Sequence, residues 1–202
     1  MAAFRLATAA VAVTAAVLLA PLPATAGAPE EAVRATAEEV LEILRSDALD
    51  AAAKRAKIED TLYRRADFDT ISKLVVARNW VRFSDTQKHE FKQLFRRYLS
   101  ATYGRNVDDY SNEGIEIVGG RDEPRGDYTV MSKIVRSGAE DILVDYRLRE
   151  RDGRWLIIDF KAEGISMISN LRSQFQEIIS KKGPDGLLDA LREKAEAPEP
   201  QA

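Results

Sequence analysis

Cysteine is absent from the 202-residue chain. Neither a disulfide framework nor a thiolate metal site can therefore form. Histidine is almost absent too: His89 is the only one. It lies among charged residues of a helical stretch, where a solvated imidazole is the simple reading, and the sequence points to no partners for a His-based triad. No phosphate-binding glycine loop, EF-hand spacing or internal repeat occurs. Charge of one sign is also lacking. Lys+Arg number 30 against 33 Asp+Glu, a net −3, and such a mixture carries no nucleic-acid footprint. Beyond residue 26 no apolar run approaches the length of a membrane span.

The first 26 residues are different. Arg5 supplies a short positive region, and Leu6 to Ala20 is apolar apart from Thr8 and Thr14. Pro21 and Pro23 break this run, and Ala24-Thr25-Ala26 has the small-x-small pattern of a cleavage site. Residues 1–26 read as a secretory signal peptide. Losing Arg5 with it takes the net charge from −3 to −4. No Cys follows the site, so no lipid anchor is expected. The mature chain, from Gly27, is expected to be soluble outside the cytoplasm.

The rest reads as one α+β domain over 27–194, followed by an Ala/Glu/Pro-rich tail, 195–202, of disordered composition. Helical periodicity covers 29–45, about 48–64 with Ile58 and Leu62 inward, and a third stretch capped by Asp67. Ser84-Asp85-Thr86-Gln87 fits a capping box. Phe91, Leu94, Phe95, Tyr98 and Leu99 follow on one face, with Gly104 as the C-cap. The period then changes to two. Four strands are expected, at about 114–119, 127–136, 140–150 and 154–163, forming a curved antiparallel sheet. Hairpins fall at Arg136–Ala139 and at Arg151–Arg154, and Gly119-Gly120 reads as a turn. Tyr128, Val130 and Ile134 on one strand, and Ile142, Val144, Tyr146 and Leu148 on the next, give the sheet an apolar face. Trp155 to Phe160 is nearly continuous in apolar residues. A Gly164 hinge then leads into a returning helix, about 166–181, and Pro184 opens a last one after Gly183.

Candidates for chemistry are few. Gly164-Ile165-Ser166-Met167-Ile168 begins like a nucleophile elbow but lacks the second glycine, so Ser166 reads as a helix cap. Asp159 interrupts the last hydrophobic strand. It is either a buried acid with a raised pKa or a structural carboxylate paired with a base or turn amides. Phe91, Phe95, Tyr98 and Phe175 are either ordinary core or the lining of a pocket, and periodicity does not separate the two.

Three blocks carry a resemblance. Arg65 to Ser72 with Trp80 is similar to R-x-D-F-x-x-[IM]-[SA] and a following W. Gln87 to Tyr103 matches Q-x-x-x-F-x-x-x-F-x-x-x-L-x-x-x-Y. Gly153 to Phe175 matches G-x-W-x-[IV]-x-D-x-x-x-[ED]-G-[IV]-S-[ML] and a helix with R-x-[QE]-F, and Gly183 to Leu187 resembles a closing G-x-D-G-L. The chain thereby resembles the MlaC, or toluene-tolerance, family of periplasmic phospholipid-binding proteins. Ala77-Arg78-Asn79 departs from the Leu-Gly or Met-Gly that often precedes the family's Trp.

The resemblance implies helices and a curved four-stranded sheet enclosing a deep apolar cavity for phospholipid tails. Carried onto this chain, its lining comprises Trp80, Phe91, Phe95, Tyr98, Leu99, Tyr103, Val130, Ile134, Val144, Tyr146, Phe160, Ile165, Met167, Ile168, Leu171 and Phe175. No catalysis, metal or cofactor is implied, the phospholipid being cargo. Implied partners are an inner-membrane ABC transporter complex with an MCE-domain protein and an outer-membrane lipoprotein associated with porins. Two alternatives remain: a carrier of another apolar lipid such as a hopanoid, and an enzyme on a similar cone-shaped scaffold using Asp159.

Overall fold

Side-chain caps encoded in the sequence start the helices after the first. The computed structural model describes residues 28–103 and 113–196, the side chains of Tyr103 and Glu196 excepted. The expected signal peptide, Gly104 and the tail beyond Glu196 lie outside the described residues. Helix α1 spans Pro29–Arg45, with Pro at its start and Glu30 and Glu31 in its first turn. Helix α2 spans Ala51–Arg65 and is capped by Asp50, which accepts from the Ala53 amide. Helix α3 spans Phe68–Val76, and Asp67 accepts from both the Thr70 amide and hydroxyl at its start. Helix α4 spans Asp85–Tyr103. Its capping box is formed: the Gln87 amide donates to Ser84 Oγ at 3.2 Å, and the Ser84 amide to Gln87 Oε1 at 2.9 Å. Such a cap contributes about 0.5–2 kcal/mol.

Ile58 is buried in α2, as expected, but Leu62 is 45 % exposed. Thr61 is buried in its place, its hydroxyl donating to Glu39 of α1. A polar bridge between the two helices thus takes the position that apolar periodicity assigns to leucine. Hydrogen bonds from Arg64 and Thr61 hold Glu39 down to about 2.

The sheet is antiparallel, ordered as in the chain: β1 (Gly114–Glu123), β2 (Asp127–Val135), β3 (Ile142–Arg151), β4 (Arg154–Ala162) and β5 (Ile165–Ser166). The fifth strand was not expected. Glu163 and Gly164 both have positive φ, 48° and 79°. This pair folds β5 tightly back on Lys161 and Ala162. Asp152-Gly153 forms its turn in the same way, with φ of 50° and 73°. Gly119-Gly120 is not a turn. It continues β1, after a bulge between Ile117 and Gly119. A Cβ at Gly120 would lie 2.4 Å from the Tyr128 ring, which crosses there to donate to Glu30 at 2.6 Å. A second bulge, between Arg147 and Leu148, bends the sheet further.

Register sorts the sheet into two faces. Val130, Tyr146 and Phe160 align across β2, β3 and β4, as do Ser132, Val144 and Ala162. This face is apolar, and α1 packs Val33 against Val130 and Leu148 on it. The other face carries Asp127, Arg147 and Arg149. The Asp127 carboxylate is fully enclosed, 2.7 Å from Arg147 and 2.5 Å from Arg149. Burial pushes its pKa up, but hydrogen bonds and charge from Arg149 and Arg147 more than offset this and leave it below the usual carboxylate range. The stabilisation is therefore present above the unfolded value near 4 and is lost as pH falls through the depressed folded value. Asp127→Asn is expected to cost about 2 kcal/mol at pH 7, a buried pair discounted for the 39 % exposure of Arg147. In denaturant titrations the gap from wild type should shrink below about pH 4. A gap that does not change with pH would contradict this assignment.

Candidate functional site

The site is organised where the last strand becomes the last helix. β4 turns through Glu163-Gly164 into β5, and α5 (Met167–Glu196) follows at once, broken at Gly183, whose φ is 71°. Asp159 secures this junction. Its carboxylate accepts from the Ser166 hydroxyl at 2.6 Å and from the Ile168 amide at 3.1 Å. Ser166 Oγ in turn accepts from the Ser169 amide at 3.0 Å. Anions are favoured at a helix N-terminus, and both residues act as caps. The structural reading of Asp159 and the cap reading of Ser166 therefore hold, and the hydroxyl lies 2.6 Å from a carboxylate with no histidine beside it.

With α5 so directed, its apolar stripe meets α4. Phe91 and Phe95 stack with centroids 5.3 Å apart, and Phe95 meets Phe175 edge-on at 5.7 Å. Tyr98 stacks on Phe95 at 6.4 Å. Phe91 and Phe95 have no exposed surface, and Ile168, Leu171 and Phe175 almost none. Trp80, Tyr98, Leu99 and Met167 border the same cluster, half-buried. Nine of the sixteen expected lining residues thus gather among α3, α4 and α5 in a close-packed aromatic core. Arrangements of this kind contribute about 1.5–3 kcal/mol per large side chain.

The sheet holds most of the remainder. Val130 and Tyr146 belong to the separate cluster under α1. Val144 is buried, and Ile134 and Phe160 are half-buried on the same face. Tyr146 is enclosed deeply enough that burial pushes its phenol up, yet it keeps accessible surface. Register continues the strip outward from Val144 through Ala162 to Ile165. Ile165 is 67 % exposed. It sits at the rim rather than in a wall, because the tight turn lifts β5 to the end of the sheet. Tyr103 ends α4, and its side chain lies outside the described residues. The expected residues therefore form two packed clusters joined by an apolar strip, which runs from Tyr146 to the rim beside α5.

The opposite face offers a recess of about 280 Å³ lined by Arg121, Arg147, Lys161, Glu123, Asp145 and Asp159 among others. Its charges suit water or ions, not acyl chains. Among the described residues, no group of three His, Asp or Glu could hold a metal ion, and no helix is long and apolar enough to cross a membrane. His89 is exposed, beside Gln93. Sequence reasoning missed the bulge opposite Arg147 and Leu148, which leaves Ile158 without a register partner and resets the facing of β4, and the exposure of the rim.

Comparison with known proteins bears on this geometry. The family described as "MlaC protein" matches residues 34–193. The toluene tolerance protein Ttg2D of Pseudomonas putida is 26 % identical over 177 residues, covering 84 % of this chain and 82 % of that relative. The intermembrane phospholipid transport system binding protein MlaC of Haemophilus influenzae is 24 % identical over 119 residues, covering 57 % of this chain and 56 % of that protein. The structure of a phospholipid-binding protein from Ralstonia solanacearum, solved with a phospholipid, superposes with a TM-score of 0.75 at 23 % identity, covering 83 % of this chain and 96 % of that one. At that identity the likeness establishes the fold.

The junction can be tested directly. Asp159→Ala is expected to cost about 1–2 kcal/mol, the worth of a helix cap and its hydroxyl partner. Asp159→Asn should recover much of this, since an amide oxygen also accepts from the Ile168 amide. Equal stability of Asp159→Ala and wild type in chemical denaturation would show that the carboxylate does not hold the junction.

Proposed function

The chain belongs to the MlaC family, and from that premise we propose that it is a phospholipid-binding carrier of the periplasm and not an enzyme. The observation that carries the reading is the apolar strip on the sheet. It begins at Tyr146, under α1, and reaches the exposed Ile165 beside the start of α5. An acyl chain laid along it would meet Ile134, Val144 and Phe160, with its polar end at the rim. The names of the relatives support phospholipid as the cargo.

The physics of carriage fits such a strip. Each methylene left in water costs about 0.8 kcal/mol, so ten cost about 8. Free lipid therefore does not cross an aqueous compartment at a useful rate. A carrier needs only to match the bilayer, because a tighter site would not release. No covalent step is required, and Asp159, the one carboxylate of interest, is engaged as a cap. We assign as partners an inner-membrane ABC transporter complex with an MCE-domain protein and an outer-membrane lipoprotein–porin complex. The carrier would pass lipid between them and so maintain outer-membrane lipid asymmetry. Residues 1–26 would direct export.

Ile165→Glu separates binding from folding. Ile165 is exposed, so the change should alter stability by no more than about 0.5 kcal/mol. The new carboxylate at the rim would stand beside the phosphate of the bound lipid, where like charges repel. Phospholipid extracted per mole of purified exported protein is expected to be stoichiometric in wild type and to fall sharply in Ile165→Glu. Equal lipid in the two proteins would remove the rim from the site. A polycyclic lipid in its place would change the cargo, and no lipid in wild type would defeat the carrier reading.

A further inference from the structure

One short segment between α3 and α4 is strained, cationic and outward-facing. Ala77 has φ 52° and ψ −130°, a conformation that favours glycine. A non-glycine residue held there costs about 1–3 kcal/mol and persists where the surroundings impose it. The strained residue opens a 3-10 turn, Ala77–Arg82. Its tip is Val81, the most exposed large hydrophobic side chain among the described residues at 85 %. Trp80 lies beneath, stacked on Phe83 and edge-on to Phe91, each at 6.2 Å. The turn is thus rooted in the aromatic core through Trp80.

Its charge is one-sided. From Thr70 to Ser84 the chain carries Lys73, Arg78 and Arg82 and no carboxylate, although the whole chain is net negative. All three cations are exposed. Among the described residues none of them has a carboxylate partner; Arg82 instead donates to the Asn79 side-chain carbonyl. A single valine is too small an apolar patch for a stable protein interface, which buries about 800 Å² on each side. It suits shallow entry into the headgroup layer of a bilayer, where nearby cations are drawn to anionic lipid.

We propose that Lys73, Arg78, Val81 and Arg82 form a docking knob for an anionic phospholipid bilayer surface. This rests on the carrier reading for its purpose: a carrier that touches the membrane shortens the path of a lipid entering or leaving. Each basic side chain at an anionic surface contributes about fivefold in binding, and the attraction weakens with salt.

The test is co-sedimentation of the mature chain with vesicles of phosphatidylglycerol and phosphatidylethanolamine, and separately of phosphatidylcholine alone. Wild type is expected to associate with the anionic vesicles and much less with the neutral ones. Arg78→Ser/Arg82→Ser should weaken this about 25-fold. Val81→Ser should weaken it severalfold, and both variants should keep the wild-type melting temperature. Association equal for wild type and variants, equal for the two vesicle types, or absent throughout would overturn the proposal and leave an acidic protein surface as the occupant. Lipid extracted from the same preparations reports separately on the carrier reading: bound lipid without vesicle association defeats the knob alone.

Discussion

The Asp159 carboxylate ties the sheet to the last helix. Asp159 projects from β4 and accepts from Ser166 in β5 and from the Ile168 amide in the first turn of α5. Those bonds set the angle at which α5 leaves the sheet. The angle decides which residues of α5 face α4, and so where Phe175 meets Phe95. Asp67 makes a comparable tie on the helical side. Its amide donates to Ile157 of β4 while its side chain caps α3. Burial raises the Asp67 pKa, but the Thr70 and Arg151 contacts outweigh it and bring the net shift down. Helices and sheet are therefore docked through backbone and cap hydrogen bonds, and the apolar surfaces need not be continuous.

That separation has a functional consequence. Phe91, Phe95 and Phe175 make ring–ring contacts and are closed to solvent, which gives the molecule a rigid body. The sheet's apolar face is only partly covered by α1, and its remaining strip leads to an exposed rim. On the carrier reading a lipid would occupy this strip without dismantling the core, and binding and stability would draw on different residues. The charged outer face, with Asp127 locked between Arg147 and Arg149, holds the strands in register from the other side.

Much of this was legible in the sequence. The caps at Asp67 and Ser84, the hairpin at Asp152-Gly153 and the alternation in β3 each have a local cause, and each is found as expected. The features that were not legible depend on distant partners. Gly119-Gly120 carries a turn signature, but the close crossing of Tyr128 accounts for Gly120 within a strand. Leu62 gives way to Thr61 because Glu39, on another helix, accepts from the threonine hydroxyl. The sixteen expected lining residues share an apolar character that does not distinguish a packed stack from an open strip. Only the register of β3, β4 and β5 shows that Ile165 continues from Val144, while Phe91 and Phe95 lie in the helical core.

The central claim is that acyl chains lie on the sheet's apolar strip. A phospholipid with a photoreactive group along one acyl chain, loaded into the protein and cross-linked, tests it most directly. Peptide mapping is expected to place the adducts on β2, β3 and β4 at Ile134, Val144, Tyr146 or Phe160. Adducts confined to the charged outer face at Arg121, Arg147 or Lys161, or scattered over the surface without preference for the strip, would contradict it.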